Sequence, residues 1–219
     1  MPKNDYWKLS AFRGAKLIRD GSISAEDLVS SCIERVNQTN NKINAIVDDL
    51  SDSALEKAYK FDKLSKKGSF KGPLHGVPIT IKENIDQKGY ATPNGLEALK
   101  DLIAPGNAPV VDNLEKDGAI IIGRTNTPEF SMRGTTDNVI HGRTYNPWND
   151  WASPGGSSGG ASAAVMSGMG SLAHGNDIAG SLRIPSTATG ACTVKPGLGR
   201  VPAYNPSQTQ ERGLIAQLM

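Results

Sequence analysis

The sequence predicts an α/β protein, and three observations carry that prediction. In GPLHGVPITIKENID, Val77, Ile79 and Ile81 alternate with Thr80 and Lys82, the period of a strand. Pro109 to Lys116 then reads as a helix ending before Gly118, and the β-branched run Ala119 to Ile122 follows it. That order is the alternation of helix and buried strand in a layered sheet. The third observation is bulk: 219 residues with 37% hydrophobic and 21% charged content suffice for a packed core. No linker rich in Gly, Ser or charge and no internal repeat divides the chain, so residues 1–219 are expected to form a single domain.

Taken in order, the elements have local reasons. Ser24 with Asp27 resembles a capping box, and Leu28, Cys32, Ile33 and Val36 recur behind it at helical spacing. Asn44 to Val47 is a short apolar run with strand character. Ser53 opens a second helix expected to turn Leu55, Ala58 and Tyr59 inward, and Lys63 to Lys71 reads as a solvated basic connection. On the strand through Ile81, Lys82 falls on the face opposite the isoleucines, near the strand end where α/β folds place their chemistry. Gly123 is expected to terminate the next strand. The polar loop GRTNTPEFSMRG offers Thr125, Asn126 and Glu129 either to a cleft or to local backbone. TYNPWNDWASPGG has neither period and is expected to be an ordered loop anchored by packing of Trp148 and Trp151.

Composition excludes several classes of function. A net charge of +2 without a long basic run argues against nucleic acid as a partner. Cys32 and Cys192 are too few for a disulfide framework, and His75, His141 and His174 have no ligand spacing, so no metal is expected. MPKNDYWKLS lacks an apolar leader region, and no run approaches the length of a membrane span. A cytoplasmic location and no membrane partner are therefore expected. Neither G-x-x-x-x-G-K-[ST] nor S-x-x-K occurs.

The stretch from Pro154 to Ser186 carries the chemistry. Two Gly/Ser turns flank Ala161, Ala163, Ala164, Val165 and Met166, which read as a closely packing helix followed by a strand. Such a unit carries one hydroxyl from each end into a shared site: Ser157 or Ser158 from the first turn, Ser181 from the second. GSSGG also fits G-x-S-x-G, which would make Ser158 the nucleophile of an α/β-hydrolase. That fold expects an acid and then a histidine downstream, and only His174 remains.

GGSSGG, DIAGSLRIPS and Lys82 in PITIKENI together resemble the amidase signature family of serine hydrolases. Ser157 and Ser181 stand 24 residues apart, the separation expected there between bridging serine and nucleophile. The resemblance runs from the Ser24 helix through GRTNTPEF and TYNPWN to VKPGLGRVPAYNPS. It implies a mixed sheet flanked by helices on both sides, and hydrolysis of a small-molecule carboxylic amide through an acyl-enzyme, without metal or organic cofactor. Ser181 would attack, Ser157 would relay protons across a cis peptide, and Lys82 would be the base. The N–H groups of Ile178, Ala179 and Gly180 would hold the oxyanion, while Ser131, Met132 and Asn176 would line the substrate channel.

A lysine base must be neutral, so its usual pKa of about 10.4 has to fall by roughly 3 units, about 4 kcal/mol against the ammonium. Burial has that sign, provided Glu83 and Asp86 point away from the amine. Two positions depart from the family: Ala179 stands where glycine is expected, and Asn176 where threonine is common. Alanine is harmless there only outside positive φ. Family members run longer, and GLIAQLM reads as helical without a cap, so the C-terminal half is expected to be missing. The alternatives are then an inactive or partner-dependent fragment, completed as a homodimer or by a complementing C-terminal chain. A glutamine-dependent amidotransferase subunit is the other alternative, although HGNDIAGSLR and GLGRVPAYNPS look closer to stand-alone amidases.

Overall fold

The computed structural model describes residues 2–207. In chain order the elements are α1 (Ala11–Arg19), α2 (Ala25–Ile43), β1 (Ile46–Asp49), α3 (Ser51–Ser65), β2 (Pro78–Lys82), α4 (Pro109–Lys116), β3 (Ile120–Thr125), α5 (Gly159–Met166), β4 (Leu172–Ala173) and α6 (Arg183–Thr189). The strands form one mixed sheet in the order β1-β3-β2-β4. β2 runs parallel to both β3 and β4, and β1 runs antiparallel to β3. Parallel neighbours require crossovers: α4 provides the one between β2 and β3, and α5 lies on the path from β3 to β4, which pairs on the far side of β2.

Local chemistry explains the helices. The Ser24 hydroxyl accepts from the Asp27 N–H at 2.9 Å and the Asp27 carboxylate accepts from the Ser24 N–H, so the expected capping box starts α2. Asp62 of α3 accepts from the N–H groups of Ala25 and Glu26, binding α3 to the same helix start. Leu28, Cys32, Ile33 and Val36 are buried as their spacing predicts. α3 buries Ala54, Ala58 and Phe61. Tyr59, expected to face inward, is 53% exposed, because one step beyond Ala58 turns it about 100° off the buried stripe. Lys63, Lys66, Lys67 and Lys71 are exposed, as expected of the basic connection.

The sheet is covered on both faces. Ile120 and Ile122 pack with α2, α3 and α5, whereas Ile79, Ile81 and Ile121 pack with Val110 and Val111 of α4. β2 is therefore buried at every position, and Lys82 lies inside rather than at a solvent face. β3 continues past Gly123 to Thr125. Gly123 sits opposite Asp49, where an added Cβ would lie 2.6 Å from Ile46 Cγ2, so it permits the approach of β1 instead of ending the strand.

The loop before α5 also differs from expectation. Trp148 and Trp151 are 70% and 94% exposed. Hydrogen bonds anchor the loop instead: Trp148 Nε1 donates to the Thr189 carbonyl, and Asn146 Nδ2 donates to the carbonyls of Ser153 and Ala188. GLIAQLM lies outside the described residues. Among the described residues no helix is long and apolar enough to cross a membrane.

Candidate active site

Lys82 ends β2 and has no solvent exposure. Its Nζ is hydrogen-bonded to Ser157 Oγ at 2.7 Å, to Ser158 Oγ at 3.1 Å and to Asn176 Oδ1 at 2.7 Å. The small residues Ala161, Ala163 and Ala164 let α5 close against the sheet, which delivers the first serine turn to the lysine. Thr136 Oγ1 fixes that turn, donating to the Gly155 carbonyl and accepting from the Gly159 N–H. The Gly156–Ser157 peptide is cis.

Ser158 joins the two turns. Its N–H donates to the Ser181 carbonyl at 3.1 Å, and its hydroxyl donates to the Asn176 carbonyl. Ser181 is partly exposed, and its hydroxyl carries no hydrogen bond among the described residues. Lys82 and Ser157 are thus in direct contact, whereas Ser181 is tied to them through backbone alone.

The second turn is organised by Asp177, which sequence reasoning did not single out. Its carboxylate accepts from the N–H groups of Gly180, Leu182 and Arg183 and from the Arg183 guanidinium. Burial raises its pKa, but the Arg183 hydrogen bonds and the three backbone donors outweigh that and hold the carboxyl well below the usual carboxylate range. Gly180, one of three expected oxyanion donors, therefore has its N–H engaged, and Ile178 and Ala179 keep theirs without an acceptor among the described residues. α6 starts at Arg183, two residues after Ser181. Ala179 is not at positive φ. Gly180 takes the left-handed conformation, with φ +119°, so the alanine sits without strain.

The two acids after Lys82 turn away from its amine. Glu83 accepts from the Gly95 N–H and lies 2.9 Å from His141 Nε2, while Asp86 accepts from Ser207. Both ring nitrogens of His174 are buried with no hydrogen-bond partner among the described residues. Burial pushes its pKa down to about 4, and Lys82 adds to the shift when protonated.

Of the residues expected to line the substrate, only Met132 faces outward, at 79% exposure. Asn176 is buried and serves Lys82 as an acceptor, and the Ser131 hydroxyl is taken up by Asn84, Asn94 and Thr127. Asn84, also missed, stands two residues beyond Lys82. It lies in the turn that follows β2, where the strand period has ended, so no periodicity in the sequence marked it.

Comparison with known proteins shows which family the chain resembles. The family model described as Amidase matches residues 27–214. An indoleacetamide hydrolase of Bradyrhizobium diazoefficiens is 54% identical over 218 residues, which are 100% of this chain and 42% of that relative. A solved fatty acid amide hydrolase superposes with a TM-score of 0.83 at 31% identity, over 86% of this chain and 34% of that one. A bacterial aryl acylamidase of the amidase signature enzymes gives 0.77 at 36% identity, over 83% and 38%. The chain spans about two fifths of the length of the curated relative it matches.

Proposed function

The chain belongs to the amidase signature family, and from that premise we propose that it hydrolyses a carboxylic amide to a carboxylate and ammonia or an amine through an acyl-enzyme on Ser181. The observation that carries the reading is the 2.7 Å contact between Lys82 Nζ and Ser157 Oγ in full burial. Neutral Lys82 takes the Ser157 proton while Ser157 takes that of Ser181, and Ser181 Oγ attacks the carbonyl. The N–H groups of Ile178 and Ala179 hold the oxyanion. On collapse the proton returns through Ser157 to the leaving nitrogen, and water releases the carboxylate by the same relay. No step in this sequence requires a metal or organic cofactor. Arylacetamides are the first substrate class to assay, because the 54% identical relative is named for indoleacetamide. We place the reaction in the cytoplasm, consistent with the free thiols of Cys32 and Cys192.

Intact mass after exposure to a fluorophosphonate tests the assignment. One adduct is expected on the chain. It should be lost in Ser181→Ala, retained in Ser158→Ala, and formed about 100-fold more slowly in Lys82→Ala. Retention in Ser181→Ala, or loss in Ser158→Ala, overturns the reading. A folded chain without an adduct would mean that the site forms only with a second copy or a complementing chain.

A further inference from the structure

An unbroken line of side-chain hydrogen bonds runs from Lys82 to the surface segment 130–132. Lys82 Nζ donates to Asn176 Oδ1, Asn176 Nδ2 donates to Asn84 Oδ1 at 3.1 Å, and Asn84 Nδ2 donates to Ser131 Oγ at 2.9 Å. Ser131 Oγ in turn donates to Asn94 Oδ1 at 2.7 Å. Each asparagine is used at both ends of its amide, so neither can turn over without breaking two bonds. The far end is an unusual piece of backbone. Phe130 and Ser131 are consecutive non-glycine residues at φ +54° and +57°, a conformation costing about 1 to 3 kcal/mol each, and the line of bonds helps to hold it. Beside it Phe130 and Met132 are 59% and 79% exposed.

Resting on the reading of Lys82 as the base, we propose that Asn176, Asn84 and Ser131 are positioning residues that aim its lone pair. A neutral amine has two N–H bonds and one lone pair. With the N–H groups directed at Asn176 Oδ1 and Ser158 Oγ, the lone pair falls toward Ser157 Oγ. If the Asn176 amide turned over, its Nδ2–H would meet Lys82 and claim that lone pair. Asn84 prevents the flip by occupying Nδ2, and Ser131 fixes Asn84. A substrate pressing on segment 130–132 thereby acts on the aim of the base, through neutral groups and without a change of charge.

The test compares Asn84→Leu, Ser131→Ala and their double variant, each first matched to the parent by circular dichroism and urea midpoint. Asn84→Leu should slow fluorophosphonate acylation by about 10- to 100-fold with little change in the probe concentration giving half-maximal rate. Ser131→Ala should slow it less, and the double variant should be no slower than Asn84→Leu. Multiplying losses, or losses confined to probe affinity, overturn the relay. A second readout is independent of reactivity and stands even if the parent takes no label: the ¹³Cε resonance of Lys82, assigned with Lys82→Arg. It should move in Ser131→Ala, although those two residues share no hydrogen bond, and an unmoved resonance also overturns the relay.

Discussion

Asp177 holds more of the second serine turn than any residue that would react there. It is the shared acceptor for three consecutive-turn N–H groups and for Arg183, while its side chain has no exposure. A carboxylate whose folded pKa is depressed contributes stability that is fully present above its unfolded pKa of about 3.9 and is lost as pH falls through the folded value. Asp177→Asn should therefore cost about 2 kcal/mol at pH 7 and flatten the loss of stability below pH 4, read from urea midpoints at the two pH values. Ser181 labelling should slow in the same variant. Gly180→Ala should cost about 1 to 3 kcal/mol, because φ is +119° and the new Cβ would lie 2.9 Å from Ile184 Cδ1. Ala179→Gly should change stability by no more than about 1 kcal/mol, so the pair of midpoints checks which residue bears the left-handed turn. Ser157, Ser181 and Lys82 were legible as candidates because the motifs that hold them resemble those of a known family. Asp177 was not, since no spacing tells which N–H groups one carboxylate will collect.

Between elements, contacts distant in sequence decide what local signals leave open. α2 begins where its capping signal put it and α4 spans the residues its proline and glycine signals gave, because those signals act within one turn. The end of β3 obeys a different rule. Its pairing with β1 carries it two residues past Gly123, and that glycine is a clearance for Ile46. Tyr59 and the two exposed tryptophans were misread for a related reason: aromatic character argues for burial without naming a partner, and here the stripe and the hydrogen bonds were elsewhere. Gly123→Ala should destabilise the protein by about 1 to 3 kcal/mol in urea unfolding. Ile46→Ala removes the atom that the new methyl would strike, so the double variant should be less destabilised than the two single losses added. Simple addition would mean that β1 shifts to absorb the methyl, and the clearance would then have no part in holding the register.

At the scale of the whole molecule, the buried site makes stability depend on pH through His174. His174 directly follows β4, its backbone N–H donates to the Thr80 carbonyl, and both ring nitrogens are buried without a partner among the described residues. Burial lowers its pKa from 6.5 to about 4, and Lys82 acts in the same direction when protonated. For a histidine held neutral, the unfolded chain binds the extra proton first, so stability is complete above pH 6.5 and falls as pH drops toward 4. The difference corresponds to about 3 kcal/mol. His174→Leu keeps the volume and removes the titration. The variant should match or exceed the parent at pH 7 and hold a widening advantage to pH 4, measured as urea midpoints at intervals between. Parallel curves would show that the ring reaches solvent or an acceptor when it protonates. The same variant separates two chemistries: if Lys82 is the base, His174→Leu still labels at Ser181 at pH 7, whereas a histidine base would leave it unlabelled. A single substitution thus asks whether the ring is cargo of the fold or part of the reaction, and a neutral imidazole with no partner among the described residues, beside an intact lysine and serine pair, favours the fold.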